Sequence, residues 1–157
     1  MNWRTKTTLL TKMLGKVFTL FSMLPLLRSL PAMFTDSEGI RYCAKIQDWW
    51  RFVRPFEPLT YKFLAKNARE DDVFLDVGAH VGIYTVRLAR RVSKVIALEP
   101  EPKNYSFLLK SIAVNGISDR VIALPIAISD RDGHARLCVK KPSDAHSLED
   151  LEGCVKK

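Results

Sequence analysis

Val73-Phe74-Leu75-Asp76-Val77-Gly78-Ala79-His80-Val81-Gly82-Ile83-Tyr84-Thr85 sets the architecture of this chain. Five residues, apolar except for Asp76, follow the acidic Glu70-Asp71-Asp72 and break at a glycine. A short apolar run without alternation reads as a strand buried on both faces. Gly82 to Arg91 then places Val86, Leu88 and Ala89 at helical spacing, with Arg87, Arg90 and Arg91 near the end where cations suit the helix dipole. Strand, glycine turn and helix make one βα unit.

The same unit repeats downstream. Val95 to Glu99 is a second buried strand, and Pro102 suits the first turn of a helix running through Phe107, Leu108 and Ile112 to Asn115-Gly116. Val121 to Leu124 is a third strand, and Asp130-Arg131-Asp132-Gly133 reads as a turn before an added strand over Ala135 to Val139. Upstream, Leu59 to Ala68 reads as a helix with Leu59, Phe63 and Leu64 on one side. Strands alternating with helices imply an α/β, doubly wound, Rossmann-like parallel sheet. Composition divides the 157 residues into three regions. Residues 1–58 form a basic, amphipathic helical N-terminal extension, 59–139 carry the sheet, and 140–157 are a polar tail.

A chain of this length, 47% hydrophobic and 27% charged, suits one globular domain. Its three cysteines, Cys43, Cys138 and Cys154, are odd in number and contain no C-x-x-C pair, which argues against a disulfide framework or a zinc site and fits the cytoplasm. The net charge of +8 is one-sided: up to Arg69 there are 12 Lys and Arg against 4 Asp and Glu, and beyond it 13 of each. An acidic partner therefore meets the N-terminal part first. On a helix, Leu9, Leu10, Met13, Leu14, Val17, Phe18, Leu20, Phe21 and Leu24 share a wide apolar arc, while Lys12 and Lys16 lie on the polar one. This suits peripheral membrane contact through residues 8–24, or a helix laid over the core. Lys12, Lys16 and Pro25 interrupt it too often for a membrane span, and no small-x-small cleavage site follows. The aromatics and arginines of Trp49 to Phe56 could stack bases, but they read better as glue for the N-terminal segment, so nucleic acid is not the expected partner.

In such sheets ligands bind outside the carboxyl ends of the strands, where Asp76 to Gly82 lies. Gly78 allows close backbone approach, Gly82 suits tight packing or a helix start, and the turn's N–H groups are read as free to meet a ligand oxygen. A dinucleotide fingerprint needs G-x-G-x-x-G, whereas here only Gly78 and Gly82 are glycine and His80 stands between them. Asp76 would repel a pyrophosphate and attract the ammonium and sulfonium of S-adenosylmethionine. Glu99, at the end of the second strand, is placed to accept ribose hydroxyls through its two oxygens.

Three segments carry a family resemblance. Val73 to Thr85 resembles the first motif of FkbM-type methyltransferases; Ala97 to Leu108 (A-L-E-P-E-P-K-N-Y-S-F-L), with Asn115-Gly116, resembles the second; Ala127 to Gly133 (A-I-S-D-R-D-G) is similar to the third region. The resemblance covers about half the chain. It implies a class I fold, S-adenosylmethionine as cofactor, and methyl transfer to a hydroxyl of a sugar, glycan, lipid or natural product; no metal site is expected. It maps the cofactor site onto Asp76, Gly78, Ala79, Gly82, Glu99 and Pro100, with Ala127 and Ile128 near the adenine. His80, where the family usually has Asn, joins the site as a turn residue. A later K-I-D-x-E-G-x-E-like strand of the family is absent, so the sheet is expected to be incomplete at the C-terminus, with the first strand's outer edge unpaired and open to a complementing chain. No catalytic base is identified; His134 and His146 lie outside the motifs. The expected function is a methyltransferase; the alternatives are a truncated or split S-adenosylmethionine-binding fragment without turnover, or a module using the basic N-terminus on a membrane or nucleic-acid surface.

Overall fold

A computed structural model describes residues 16, 17, 20, 24, 27–53, 56–130, 133, 136–138 and 147–149. Strands β1 (Pro31–Thr35) and β2 (Arg41–Lys45) form an antiparallel hairpin, followed by a 3-10 turn (Ile46–Asp48) and the short helix α1 (Trp50–Val53). Helix α2 (Pro58–Asn67) leads into β3 (Val73–Val77), α3 (Ile83–Leu88), β4 (Lys94–Leu98), α4 (Pro102–Val114) and β5 (Val121–Leu124). β3, β4 and β5 form a parallel sheet in that order, with Asp76 beside Ala97 and Leu98 beside Leu124. This is the expected α/β arrangement, with β3 at an edge of the sheet.

One face of the sheet carries the core. Val95 and Ala97 are fully buried there, against Val86 of α3 and Phe107, Leu108 and Ile112 of α4. On the opposite face Val73, Leu75, Val77, Ile122 and Leu124 are exposed, while Ile96 is half-buried and Leu98 buried. The strands read as buried on both sides are thus fully covered on one face and only in part on the other. In α2, Leu59 and Phe63 of the expected apolar side are also exposed.

The hairpin is the main departure from the sequence reading, which had residues 1–58 as a helical extension. Asp36 closes its turn: Oδ1 accepts the N–H groups of Glu38 and Ile40 at 2.9 and 3.0 Å, and Gly39 takes the left-handed φ of 76° that the turn requires. Alternation then sends Phe34, Tyr42 and Ala44 inward. Phe52 of α1 stacks on Phe34 and Tyr42, with ring centroids 4.9 and 5.1 Å apart, so the aromatic cluster packs onto the hairpin. The hairpin is fixed to the domain by Asn115, which bonds both backbone groups of Arg41, and by Ser111 Oγ, which accepts the Cys43 N–H at 2.9 Å. Beneath it, Arg87 donates to Asp36 Oδ2 at 2.7 Å and to Tyr42 Oη at 3.1 Å, with all three side chains buried. Burial pushes the Tyr42 hydroxyl well above its ordinary range. Burial alone would lower the Arg87 pKa, but hydrogen bonding to Asp36 and its other contacts raise it overall.

Two further corrections concern the C-terminal part. The strand expected over Ala135 to Val139 appears as β6 (Arg136–Cys138), but it pairs antiparallel with β7 (Ser147–Glu149) in a separate ribbon instead of joining the main sheet. Cys138 is disulfide-bonded, against the inference drawn from the cysteine count. The amphipathic helix expected over Leu9 to Leu24 lies outside the described residues except for Lys16, Val17, Leu20 and Leu24, all exposed. Among the described residues no helix is long and apolar enough to cross a membrane.

Candidate functional site

Asp76 and Glu99 stand at the carboxyl ends of neighbouring strands, where the parallel register brings their side chains to one end of the sheet. Both are buried, at 7% and 4% exposure. Asp76 points under the first turn of α3, where Thr85 Oγ1 donates to its Oδ2 at 2.5 Å. Burial raises the Asp76 carboxyl above its ordinary value; the hydroxyl and backbone N–H of Thr85 oppose the shift, and Glu99 adds to it. Neither carboxylate makes an ion pair with a described residue, in contrast to Asp36, which is paired with Arg87. Two buried acids therefore face one another's field without a cation.

The turn between them is built by its backbone. Gly78 and Ala79 both donate to Leu98 O, at 2.9 and 3.0 Å, His80 N–H donates to Glu99 Oε2 at 2.8 Å, and Gly82 N–H closes on Ala79 O at 2.8 Å. This corrects the sequence reading: the N–H groups of Gly78, Ala79, His80 and Gly82 serve the turn and are not free for a ligand. His80 has a left-handed φ of 54°. Asn, Asp and His are the non-glycine residues most often found there, so His80 occupies a position that Asn would fill on the same backbone grounds. Gly78, with φ 77°, has nothing within 4 Å of where a Cβ would stand, leaving open space above the turn. Gly82, with φ 91°, has Leu108 Cδ1 only 2.8 Å from such a Cβ, so its missing side chain lets α4 close on the start of α3.

The Glu99-Pro100-Glu101-Pro102-Lys103-Asn104 segment divides into distinct tasks. Glu99 Oε1 accepts the Glu101 N–H at 2.9 Å, so each Glu99 oxygen holds one backbone donor and retains acceptor capacity. Glu101 caps α4 by accepting the Asn104 N–H at 2.6 Å, and Pro102 takes the first helical position. Pro100 is half-buried between the two acids. Glu101 and Thr85 were not among the residues singled out from sequence; an acid three residues before Asn104 and a hydroxyl in the first helical turn were the available signals.

Ala79 is buried, as a residue under the turn should be. Ala127 and Ile128 lie exposed on the segment after β5, at the same end of the sheet. The site is therefore open on the side of Val77 and Gly78, both exposed. A separate cleft of about 580 Å³, bordered by Arg90, Arg91, Lys94 and Arg120, opens at the amino ends of the strands and excludes both carboxylates.

No family model matches the chain, and no curated protein matches its sequence. Solved structures do resemble it. A Pyrococcus horikoshii protein assigned as a transferase is 25% identical, with a TM-score of 0.50 over 63% of this chain and 37% of its own. P. horikoshii TYW2, solved in complex with MeSAdo, is 25% identical, with a TM-score of 0.52 over 67% of this chain and 39% of its own. The fold of residues matched is that of the class I, Rossmann-like methyltransferases, and the chain spans about two fifths of the length of these solved structures.

Proposed function

We propose that this chain binds S-adenosylmethionine at the Asp76–Glu99 end of its sheet and forms the cofactor-binding part of a methyltransferase. One observation carries the reading: two buried carboxylates, on adjacent strand ends, with no cation paired to either among the described residues. Such a pair is destabilising until a cationic ligand arrives. The cofactor's ammonium and sulfonium supply that charge, and its ribose hydroxyls suit the acceptor capacity left on Glu99. A pyrophosphate would add two negative charges beside two others. The bound state of the MeSAdo-containing relative supports the same ligand class.

The cofactor supplies an electrophilic methyl group: an acceptor atom forms a bond to that carbon as the carbon–sulfur bond breaks, giving the thioether and a proton from the acceptor. This chain's own contribution is positional. Asp76 fixes the charged end, Glu99 the sugar, and the bare Gly78 leaves room for both. The finer assignment, an FkbM-type enzyme acting on a hydroxyl of a sugar, glycan, lipid or natural product, rests on the motif resemblance of Val73 to Thr85 and Ala97 to Leu108. Residence in the cytoplasm, with the basic N-terminal arc against a membrane, extends the proposal on sequence grounds; the disulfide at Cys138 pulls the other way.

Calorimetric titration of the full chain with S-adenosylmethionine tests the reading. Asp76→Ala is expected to weaken binding about 10- to 100-fold, the scale of a lost hydrogen bond to a charged group. Unchanged affinity in the variant, or no saturable binding by the wild-type chain, refutes it.

A further inference from the structure

We infer that the cleft at the amino ends of the parallel strands binds a small phosphorylated ligand, gripping its phosphoryl group with Arg90, Arg91, Lys94 and Arg120. The four cations line one cavity of about 580 Å³, together with the buried Val92 and two acids, Glu70 and Asp119. All of these residues fall between positions 70 and 120, inside the parallel unit. Beyond Arg69 the chain carries 13 cations and 13 acids, so the excess of cations here is local. None of the four makes an ion pair with a described residue. Arg90 and Arg91 follow the C-terminus of α3, where the helix dipole stabilises a cation. Lys94 and Arg120 have no such reason. Each stands one residue before the paired Val95 and Val121, and Arg120 O accepts the Val95 N–H at 2.9 Å, so the ladder sets the two cations side by side. Like charges held together without a counter-ion cost free energy until an anion enters.

Charge and size select the ligand. Four cations less two acids leave the cleft at +2. One phosphate monoester carries roughly −1.5 to −2 at pH 7 and neutralises it. The volume falls within the range of small-molecule sites, roughly 300–1,000 Å³. Guanidinium forks match phosphoryl oxygens two at a time, and the Lys94 ammonium adds a point charge. The backbone amides of Arg91, Val92, Ser93 and Arg120 are already committed, to Leu88 O, Asp72 O and Ile117 O, so recognition falls to the side chains. Glu70 and Asp119 limit what enters. They repel the successive phosphates of a nucleic-acid strand, while their oxygens accept hydroxyls of a small carrier such as a sugar. The cleft lies at the opposite end of the strands from Asp76 and Glu99, so this assignment is independent of the cofactor proposal.

Calorimetric titration of the full chain with glucose 6-phosphate, inorganic phosphate and glucose tests the inference. One-to-one binding of the phosphate ester is expected, and none of glucose. An ester held more tightly than inorganic phosphate supports the carrier contacts; equal affinity overturns them and assigns the cleft to free phosphate. Lys94→Gln/Arg120→Gln should weaken the ester about 100-fold, two charge-assisted contacts at about tenfold each. Lys62→Gln, an equal loss of charge at an exposed position on α2, is expected to leave binding unchanged. Without ligand the double variant should melt no lower than wild type, because it relieves repulsion between neighbouring cations. A lower melting temperature shows that the two cations serve the fold and overturns the inference. The absence of saturable ester binding overturns it, as does an affinity indifferent to the double substitution. A single-stranded oligonucleotide bound through the same two residues overturns it too, because the acids then set no limit on the ligand.

Discussion

Replacing Thr85 with valine isolates the interaction that keeps Asp76 ionisable. Valine has nearly the same shape, and Thr85 is fully buried, so the substitution removes a hydroxyl without opening a cavity. What is lost is the 2.5 Å hydrogen bond to Asp76 Oδ2; the backbone N–H of residue 85 remains. A charged group deprived of one donor in a buried setting costs about 1–3 kcal/mol. That cost depends on charge, and the direction follows from linkage. Burial holds the folded Asp76 carboxyl above its unfolded value, so the folded state binds this proton more tightly. The stability associated with that proton is fully present below the ordinary carboxylate range and is lost as pH rises through the raised folded value. Thr85→Val raises the folded value further, so wild type and variant diverge above the wild-type value and converge below it. Urea unfolding followed by circular dichroism should give a loss of about 1–3 kcal/mol near pH 8 and less than about 1 kcal/mol near pH 4. An equal loss at both values refutes the reasoning, because a packing defect does not titrate.

Two further substitutions test the frame that holds the site. Gly82→Ala puts a methyl 2.8 Å from Leu108 Cδ1 at a φ of 91°, and thermal denaturation should show a loss of about 1–3 kcal/mol, with part of the contact relieved by movement of the leucine end; unchanged stability would mean α3 and α4 do not meet there. Arg87→Met leaves Asp36 buried with its two backbone donors but no cation, and should cost about 3 kcal/mol, the low end for breaking a buried pair; a loss under about 1 kcal/mol in urea unfolding would show that the hairpin is not anchored through this side chain.

The parallel unit was legible because its signals are local. Five apolar residues, a glycine and a helical spacing specify β3, the turn and α3 without reference to anything distant, and β4, α4 and β5 repeat the pattern. The hairpin was hidden by composition. Its inward positions, Phe34, Tyr42 and Ala44, alternate only once Asp36 to Gly39 is recognised as the turn, and the Leu- and Met-rich residues around it suggested helix. Arg87 shows the other limit. A basic residue in the last turn of a helix is satisfied by the helix dipole, and nothing in its neighbourhood announces an acid 51 positions earlier. At the site, the two acids and two glycines were readable from residue type and spacing. The occupation of the turn's N–H groups was not, since it depends on Leu98 and Glu99 arriving from the next strand.

The turn's geometry leaves the two acids as the groups with unused hydrogen-bonding capacity at this end of the sheet. Four of its N–H groups are already committed, so an incoming ligand finds few backbone donors between Gly78 and Gly82. A ligand that needs donors, such as a phosphate, is poorly served by that arrangement. One that brings its own donors and positive charge meets acceptors instead: Asp76 beside the helix start and Glu99 with a lone pair left on each oxygen. The left-handed backbone at Gly78, His80 and Gly82 is what folds the loop tightly enough to spend its amides internally. The same conformations that strain the turn thus leave this strand end with carboxylate acceptors and few uncommitted N–H groups.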